Sequence, residues 1–209
     1  MITILIANSK GGCGKSTLST NLAASFALAG RQVMLADADR QRSSLGWAER
    51  RPATAAPISA RDWTKGPGDV PKRITHLIID GPAGLRKDDM DALVAEADLI
   101  VMPVLPSPFD EDASTAFLAK LDELKSIRKN RKGVAIVGNR MRERTRAALR
   151  LDRFLAGLGH AVVARLRDSQ AYSDAAAAGL SIFEAKGGRS KVLREDWGPL
   201  IDYIEHGVL

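Results

Sequence analysis

"SKGGCGKST", residues Ser9 to Thr17, follows the apolar run Ile2–Ala7 and leads into a helical pattern that begins at Lys15. Gly11, Gly12 and Gly14 let successive backbone N–H groups turn inward around a phosphate. The helix N-terminus behind them adds partial positive charge. Strand, glycine loop and helix in this order give the motif its meaning. Lys15 is expected to reach the β- and γ-phosphates of a nucleotide, the Ser16 hydroxyl to ligate Mg2+, and Thr17 to bond the α-phosphate. Cys13 holds the variable position and is expected to offer its backbone N–H, not redox chemistry. The loop departs from the ordinary G-x-x-x-x-G-K-[ST] form, because Ser9 stands at the first glycine position and Lys10 precedes the glycines. With Lys15 inside the loop, a cation five residues earlier is more easily presented outward than to the same phosphates.

Apolar runs of the same kind recur along the chain: Gln32–Ala36, His76–Asp80, Leu99–Pro103, Val134–Gly138 and Ala161–Leu166. They are short, rich in Ile, Val and Leu, and nearly continuous in apolar character, as strands buried on both faces of a parallel sheet are. Between them lie helical patterns at Lys15–Ala29, Leu85–Ala97, Asp112–Lys129, Thr145–Leu158 and Ser169–Ala178, with a last one over Ser190–His206 disturbed at "WGP". Gly30, Gly159 and Gly179 follow three of them, and Ser169 is placed to cap another. The alternation predicts a doubly wound, mostly parallel α/β sheet flanked by helices, in a single domain over residues 1–209. Arg51–Pro71 holds four prolines and reads as a surface excursion with a short strand near Ile58.

Acidic residues close two of these strands. Asp37 and Asp39 follow "VMLA", and Asp80 ends "HLIID", the pattern that holds Mg2+ through water. Carboxyl ends of strands are where open α/β sheets bind ligands. One cysteine excludes a disulfide framework and any multi-cysteine metal site within the chain. No apolar run is long enough to cross a bilayer. The N-terminal strand runs straight into the glycine loop without a basic leader, so a cytoplasmic protein is expected.

The net charge of +6 is unevenly distributed. Lys125 to Arg153 contains eleven basic and two acidic residues, while the rest of the chain is slightly acidic. A concentration of this kind suits either a polyanionic partner or a solvated helical face.

"KGGCGKST", together with "DADRQ", "LIIDGPAG", "VMPVLPSPFD", "VGNR" and "RDSQAYSDAAAAGLSIFE", resembles the deviant-Walker ATPases of the ParA/MinD family over nearly the whole chain. The resemblance implies ATP and Mg2+ as cofactors and an ATP-sandwiched homodimer. In it Lys10 crosses to the nucleotide of the twin subunit. It assigns Asp39 to positioning the attacking water, Asp37 to the magnesium or switch region, and the Asn139–Arg140 pair to the base, with Asn139 on adenine. It places Pro106, Ser107, Pro108 and Phe109 in a loop near the base and the dimer contact. Where the family usually has proline after the second acid, this chain has Arg40, giving a more flexible or more cationic first switch.

Family members differ in what the ATP-bound dimer grips. The C-terminal stretch "REDWGPLIDYIEHGVL" mixes acids with apolar residues, unlike the basic amphipathic helix of the membrane-binding MinD type. The expected ligand is therefore DNA bound without sequence preference on the nucleoid, with no membrane. Lys125, Arg128, Lys129, Arg142, Arg146 and Arg150 would contact phosphates, joined by Lys186, Arg189, Lys191 and Arg194. No helix-turn-helix precedes the loop, so operator reading is not expected. A ParB-like or cargo-adaptor protein would stimulate hydrolysis, and the cargo would be a plasmid, a chromosome region or a protein assembly. The rival readings are a MinD-like membrane ATPase, a regulatory adaptor that binds ATP but no DNA, and a metabolic P-loop ligase.

Overall fold

The computed structural model describes residues 1–84, 87–129 and 131–207; the side chains of Lys87, Asp88, Arg128 and Arg189 lie outside that description. Seven parallel strands form one sheet: β1 (Ile2–Ile6), β2 (Val33–Asp37), β3 (Ser59–Asp62), β4 (His76–Asp80), β5 (Leu99–Val104), β6 (Gly133–Met141) and β7 (Ala161–Arg167). Their order across the sheet is β3-β2-β4-β1-β5-β6-β7. All six expected strands are present, and the short strand expected near Ile58 is β3, at one edge. β1 lies at the centre because it is paired to β4 on one side and β5 on the other.

Side chains alternate between two apolar layers. Leu5, Leu77, Ile79, Ile100 and Met102 face one layer; Ile4, Ile6, Ile78, Leu99 and Val101 face the other. This double burial explains why the central strands are continuously apolar. The first layer is closed by α3 (Lys87–Glu96), α4 (Pro108–Glu123), α5 (Lys125–Arg128) and α6 (Arg146–Ala156), through Leu93, Phe117, Leu121, Ile127, Leu151 and Leu155. The second is closed by α1 (Lys15–Leu28), α2 (Ser43–Glu49), α8 (Gly188–Glu195) and α9 (Gly198–His206), through Leu18, Phe26, Trp47, Leu193, Leu200 and Ile204. The short α7 (Ala171–Ala177) packs Ala171, Tyr172 and Ala176 against the same layer.

Several helices differ from the sequence pattern. α4 starts at Pro108, not Asp112, because Ser107 is extended, Pro108 supplies the fixed φ of a first turn, and Asp110 and Glu111 favour the helix N-terminus. It ends at Glu123 because Leu124 turns extended (ψ 128°), and α5 is a separate short turn. The last pattern splits into α8 and α9 at Trp197–Pro199, with Pro199 in the first turn of α9. The start expected at Leu85 lies outside the described residues. No helix among the described residues is long and apolar enough to span a membrane.

The seven-residue helix α2 has no counterpart in the sequence pattern. Trp47 anchors it, its Nε1 donating to Leu180 O at 3.0 Å. Arg51 lies over the Trp47 ring at 4.6 Å and donates to Glu184 from both terminal nitrogens, at 3.1 and 2.7 Å. Both members of this pair are 8% exposed. Burial pushes the Glu184 carboxyl up, but Arg51 and the Ser181 donors outweigh it and hold it below the usual carboxylate range. Gly179, at φ +67°, lies so close to Arg50 that a Cβ would sit 2.5 Å from its carbonyl carbon. Residues 179–184 are thus docked on α2. Glu184→Ala should leave Arg51 buried without its anion and cost about 3 kcal/mol. Thermal melting should show a fall of roughly 6–12 °C in Tm; an unchanged Tm would show that this pair does not hold the two segments together.

Candidate functional site

The phosphate loop leaves β1 through Asn8, which is fully buried. Its Nδ2 donates to Pro103 O at 2.8 Å and to Ser114 Oγ at 3.0 Å, and its Oδ1 accepts the Lys10 N–H at 3.2 Å. Asn8 thereby sets the backbone from which Lys10 projects. Nothing in the sequence singles it out, because an amide at a strand end carries no motif. Gly12 and Gly14 take φ values of +77° and +101°, which glycine adopts without strain. At Gly14 space also decides: a Cβ would lie 2.2 Å from Asn139 Nδ2.

Lys15 is 7% exposed and donates its Nζ to Lys10 O at 3.0 Å. The Cys13 thiol, fully buried, points to the same carbonyl at 3.2 Å, and burial pushes its pKa up. The Lys10 side chain, half-buried, makes no hydrogen bond or ion pair among the described residues.

Asp37 and Asp80 are register partners at the ends of β2 and β4, and both are buried. Asp37 is saturated with donors. Its Oδ2 accepts Ser44 N and Leu45 N at 2.9 and 3.0 Å, and its Oδ1 accepts Asp39 N at 3.0 Å. It therefore caps α2 from seven residues away. Asp80 is the opposite case: Oδ1 accepts only Ser19 Oγ at 3.2 Å, and Oδ2 has no partner among the described residues. Burial pushes its pKa up to about 7 and the Asp37 charge adds to this, against the hydroxyls of Ser16, Ser44 and Ser19. An orphaned carboxylate oxygen beside a second buried carboxylate and the Ser16 hydroxyl suits a divalent cation, which would supply the missing positive charge. No cluster of three or more His, Cys, Asp or Glu exists among the described residues to hold a metal by itself. That donor set fits Mg2+, which takes few protein ligands and completes its shell with phosphate oxygens and water.

Asp39 bridges two loops: Oδ1 accepts Gln41 N at 2.9 Å and Oδ2 accepts Ala83 N at 3.2 Å. Arg40 follows it, exposed, inside a turn closed by Arg42 N donating to Asp39 O at 2.9 Å, with Arg42 at φ +53°.

On the other side of the loop a cleft of about 1470 Å3 is lined by Thr17, Pro106, Ser107, Asn139, Arg140 and Tyr172, among others. Asn139 Nδ2 donates to Cys13 O at 2.7 Å, so the expected base-contacting amide rests against the phosphate loop. Pro106 and Ser107 line this cleft, whereas Pro108 and Phe109 open α4, with Phe109 76% exposed.

The basic residues expected at a polyanion do not form one surface. Arg142 pairs with Asp168 and lines this cleft; Arg150 pairs with Glu111 at 3.0 Å. Arg194 is half-buried, its guanidinium donating to Ile182 O and Ala185 O at 2.9 and 2.7 Å. It therefore serves the packing of α8. Lys186 and Lys191 are exposed, and Lys191 sits on α8, on the sheet face opposite α5 and α6. The side chains of Arg128 and Arg189 lie outside the described residues. Lys125, Lys129, Arg131, Arg146 and Arg153 remain exposed, without ion pairs among the described residues, in the layer of α5 and α6.

The family described as CobQ/CobB/MinD/ParA nucleotide binding domain matches residues 4–182. A relative covering almost the whole chain is "Maintenance of carboxysome distribution protein A" of Halothiobacillus neapolitanus, 29% identical over 97% of this chain and 95% of its own length. Among solved structures, the fold is shared with Cyanothece McdA in complex with ATP (TM-score 0.76, 14% identity, 100% of this chain and 96% of that one). It is also shared with the MinD cell division protein of Aquifex aeolicus (TM-score 0.72, 18% identity, 98% and 96%). The chain belongs to the CobQ/CobB/MinD/ParA nucleotide-binding family.

Because burial raises the Asp80 pKa in the folded state, the contribution of Asp80 to stability, without nucleotide or metal, should be greatest at acid pH. It should fall as pH rises from the ordinary carboxylate range through about 7. Asp80→Asn should flatten that dependence and raise Tm at pH 8 in EDTA, by about 2–4 °C for each kcal/mol relieved. The same variant should lose any extra thermal stabilisation that Mg2+ gives to nucleotide-bound protein. A Tm at pH 8 unchanged by the substitution would show that the carboxylate is not strained.

Proposed function

We propose that this family member is an ATPase that cycles between a monomer and an ATP-sandwiched dimer and positions a cargo. The observation that carries the reading is the division of labour between two lysines on one loop. Lys15 is folded inside, onto the loop's own backbone, while Lys10 projects from a backbone fixed by Asn8 and has no partner within the described chain. A cation so placed is available to the phosphates of a second subunit, where it would stabilise charge on the transferred phosphoryl group.

Within each subunit, Lys15, the loop N–H groups and Thr17 would hold the phosphates. Ser16 and Asp80 would hold Mg2+, with Asp37 beside them. The metal would neutralise charge between the β- and γ-phosphates. Asp39, tied by one oxygen to each of the loops after β2 and β4, would orient the attacking water. Closure of those loops on the γ-phosphate would then change α2, whose N-terminus Asp37 holds.

The dimer would bind DNA without sequence preference through Lys125, Lys129, Arg131, Arg146 and Arg153, and a partner protein on the cargo would stimulate hydrolysis. The name of the Halothiobacillus relative, which assigns that protein to carboxysome distribution, favours a protein assembly over a plasmid as the cargo.

Lys10→Ala should keep its affinity for ATP yet remain monomeric with saturating ATP in light scattering. A normal ATP-dependent dimer would remove the role in trans. On an arbitrary long duplex with ATP, reversing charge at Lys129, Arg146 and Arg153 should weaken binding. The log–log salt slope should fall by about 0.9 for each DNA phosphate that is no longer neutralised. An unaltered slope would move the DNA surface elsewhere, and absence of binding by the unmodified protein would favour an adaptor that binds ATP but no DNA.

A further inference from the structure

Asp168 is the one carboxylate among the described residues that line the base cleft, and it is already engaged. Arg142 sets its Nε 2.8 Å and its Nη2 2.8 Å from the same oxygen, Asp168 Oδ2. The Asp168 backbone N–H donates to Met141 O at 2.9 Å, which fixes the acid beside the end of β6, next to the arginine that holds it. Asn139, three residues before Arg142, rests on the phosphate loop through Cys13 O. Loop, arginine and carboxylate therefore share one wall of the cleft. Asp168 Oδ1 accepts no hydrogen bond among the described residues.

The two purines differ at this kind of wall. Guanine presents two adjacent donors, N1–H and the 2-amino group, and a free carboxylate accepts both at once. Adenine presents one acceptor, N1, beside one donor, the 6-amino group. An arginine carries donors only. With Arg142 on Oδ2, guanine would meet donors where it needs an acceptor pair, whereas adenine finds a donor in Arg142 and an acceptor in Oδ1. Rejection by an unmatched donor is a specificity device in its own right.

We infer that Arg142 is a base-specificity residue, which selects adenine over guanine nucleotides by occupying the carboxylate of Asp168. The inference rests on the reading that the phosphates lie on residues 11–17 and the base in this cleft. Both side chains are partly open to water, 77% and 30% exposed, so the effect is moderate in size.

The test is competition binding of ATP and GTP to the full chain with Mg2+, in wild type, Arg142→Ala, and Arg142→Ala combined with Asp168→Asn. Wild type should prefer ATP. Freeing the carboxylate in Arg142→Ala should shift the ratio of dissociation constants toward GTP by about tenfold, the worth of one good hydrogen-bonded match. Replacing the freed acid in the double variant should abolish that gain. A ratio within twofold of wild type in Arg142→Ala, or a gain that survives Asp168→Asn, overturns the inference. Lys15→Ala measured alongside separates the two levels. Full-strength binding by that variant overturns the underlying site reading, while loss of binding there with an unchanged ratio overturns only the specificity.

Discussion

Two carboxylates buried side by side at the ends of adjacent strands constrain everything around them. Asp37 and Asp80 are placed by the pairing of β2 and β4, and neither has water to turn to. Leaving two such charges in a low-dielectric interior is expensive, and the fold answers in two different ways. Asp37 is given backbone N–H donors on both oxygens. Asp80 is left short of partners, and its proton is held up to about 7. The second solution makes sense only where a positive charge is to arrive, next to the Ser16 hydroxyl and the loop that carries Lys15. The strained group is thus the one that an arriving cation would relieve.

The first solution has mechanical reach. By capping α2, Asp37 connects the strand end to Trp47, through Trp47 to Leu180, and through Arg51 to Gly179 and Glu184. Those residues follow α7, which carries Tyr172 in the wall of the cleft beside the glycine loop. Asn21 joins the same segment from α1, its Oδ1 accepting Ile182 N at 3.0 Å. The ends of β2 and β4 and the wall of the cleft are therefore linked by buried and half-buried polar contacts on the side of the sheet away from α4 and α6. Such a chain couples two sites only if one of its members has two arrangements, and α2, short and capped from a distance, is the member best suited to have them.

How much of this is legible in the sequence follows from what each residue owes to its neighbours along the chain. The central strands are readable because burial on both faces leaves a continuous apolar run. The phosphate loop is readable because its glycines, lysines and hydroxyls must be contiguous to surround a phosphate. Helix α2 is not: seven residues with Gly46 inside give little pattern, and its cap is supplied by Asp37 through the fold. The start of α4 carries a local signal in Ser107, Pro108, Asp110 and Glu111, but closely spaced prolines mark a stiff loop as readily as a first helical turn. The basic residues show a deeper limit. Charge can be counted in a sequence, but whether Arg142, Arg150 and Arg194 are spent on Asp168, Glu111 and backbone carbonyls depends on the tertiary structure.

The bond from Lys15 Nζ to Lys10 O uses one of the three ammonium donors and leaves two for an incoming anion. The loop's own backbone thus holds the cation in place before any ligand enters, so little side-chain freedom is left to lose when one does.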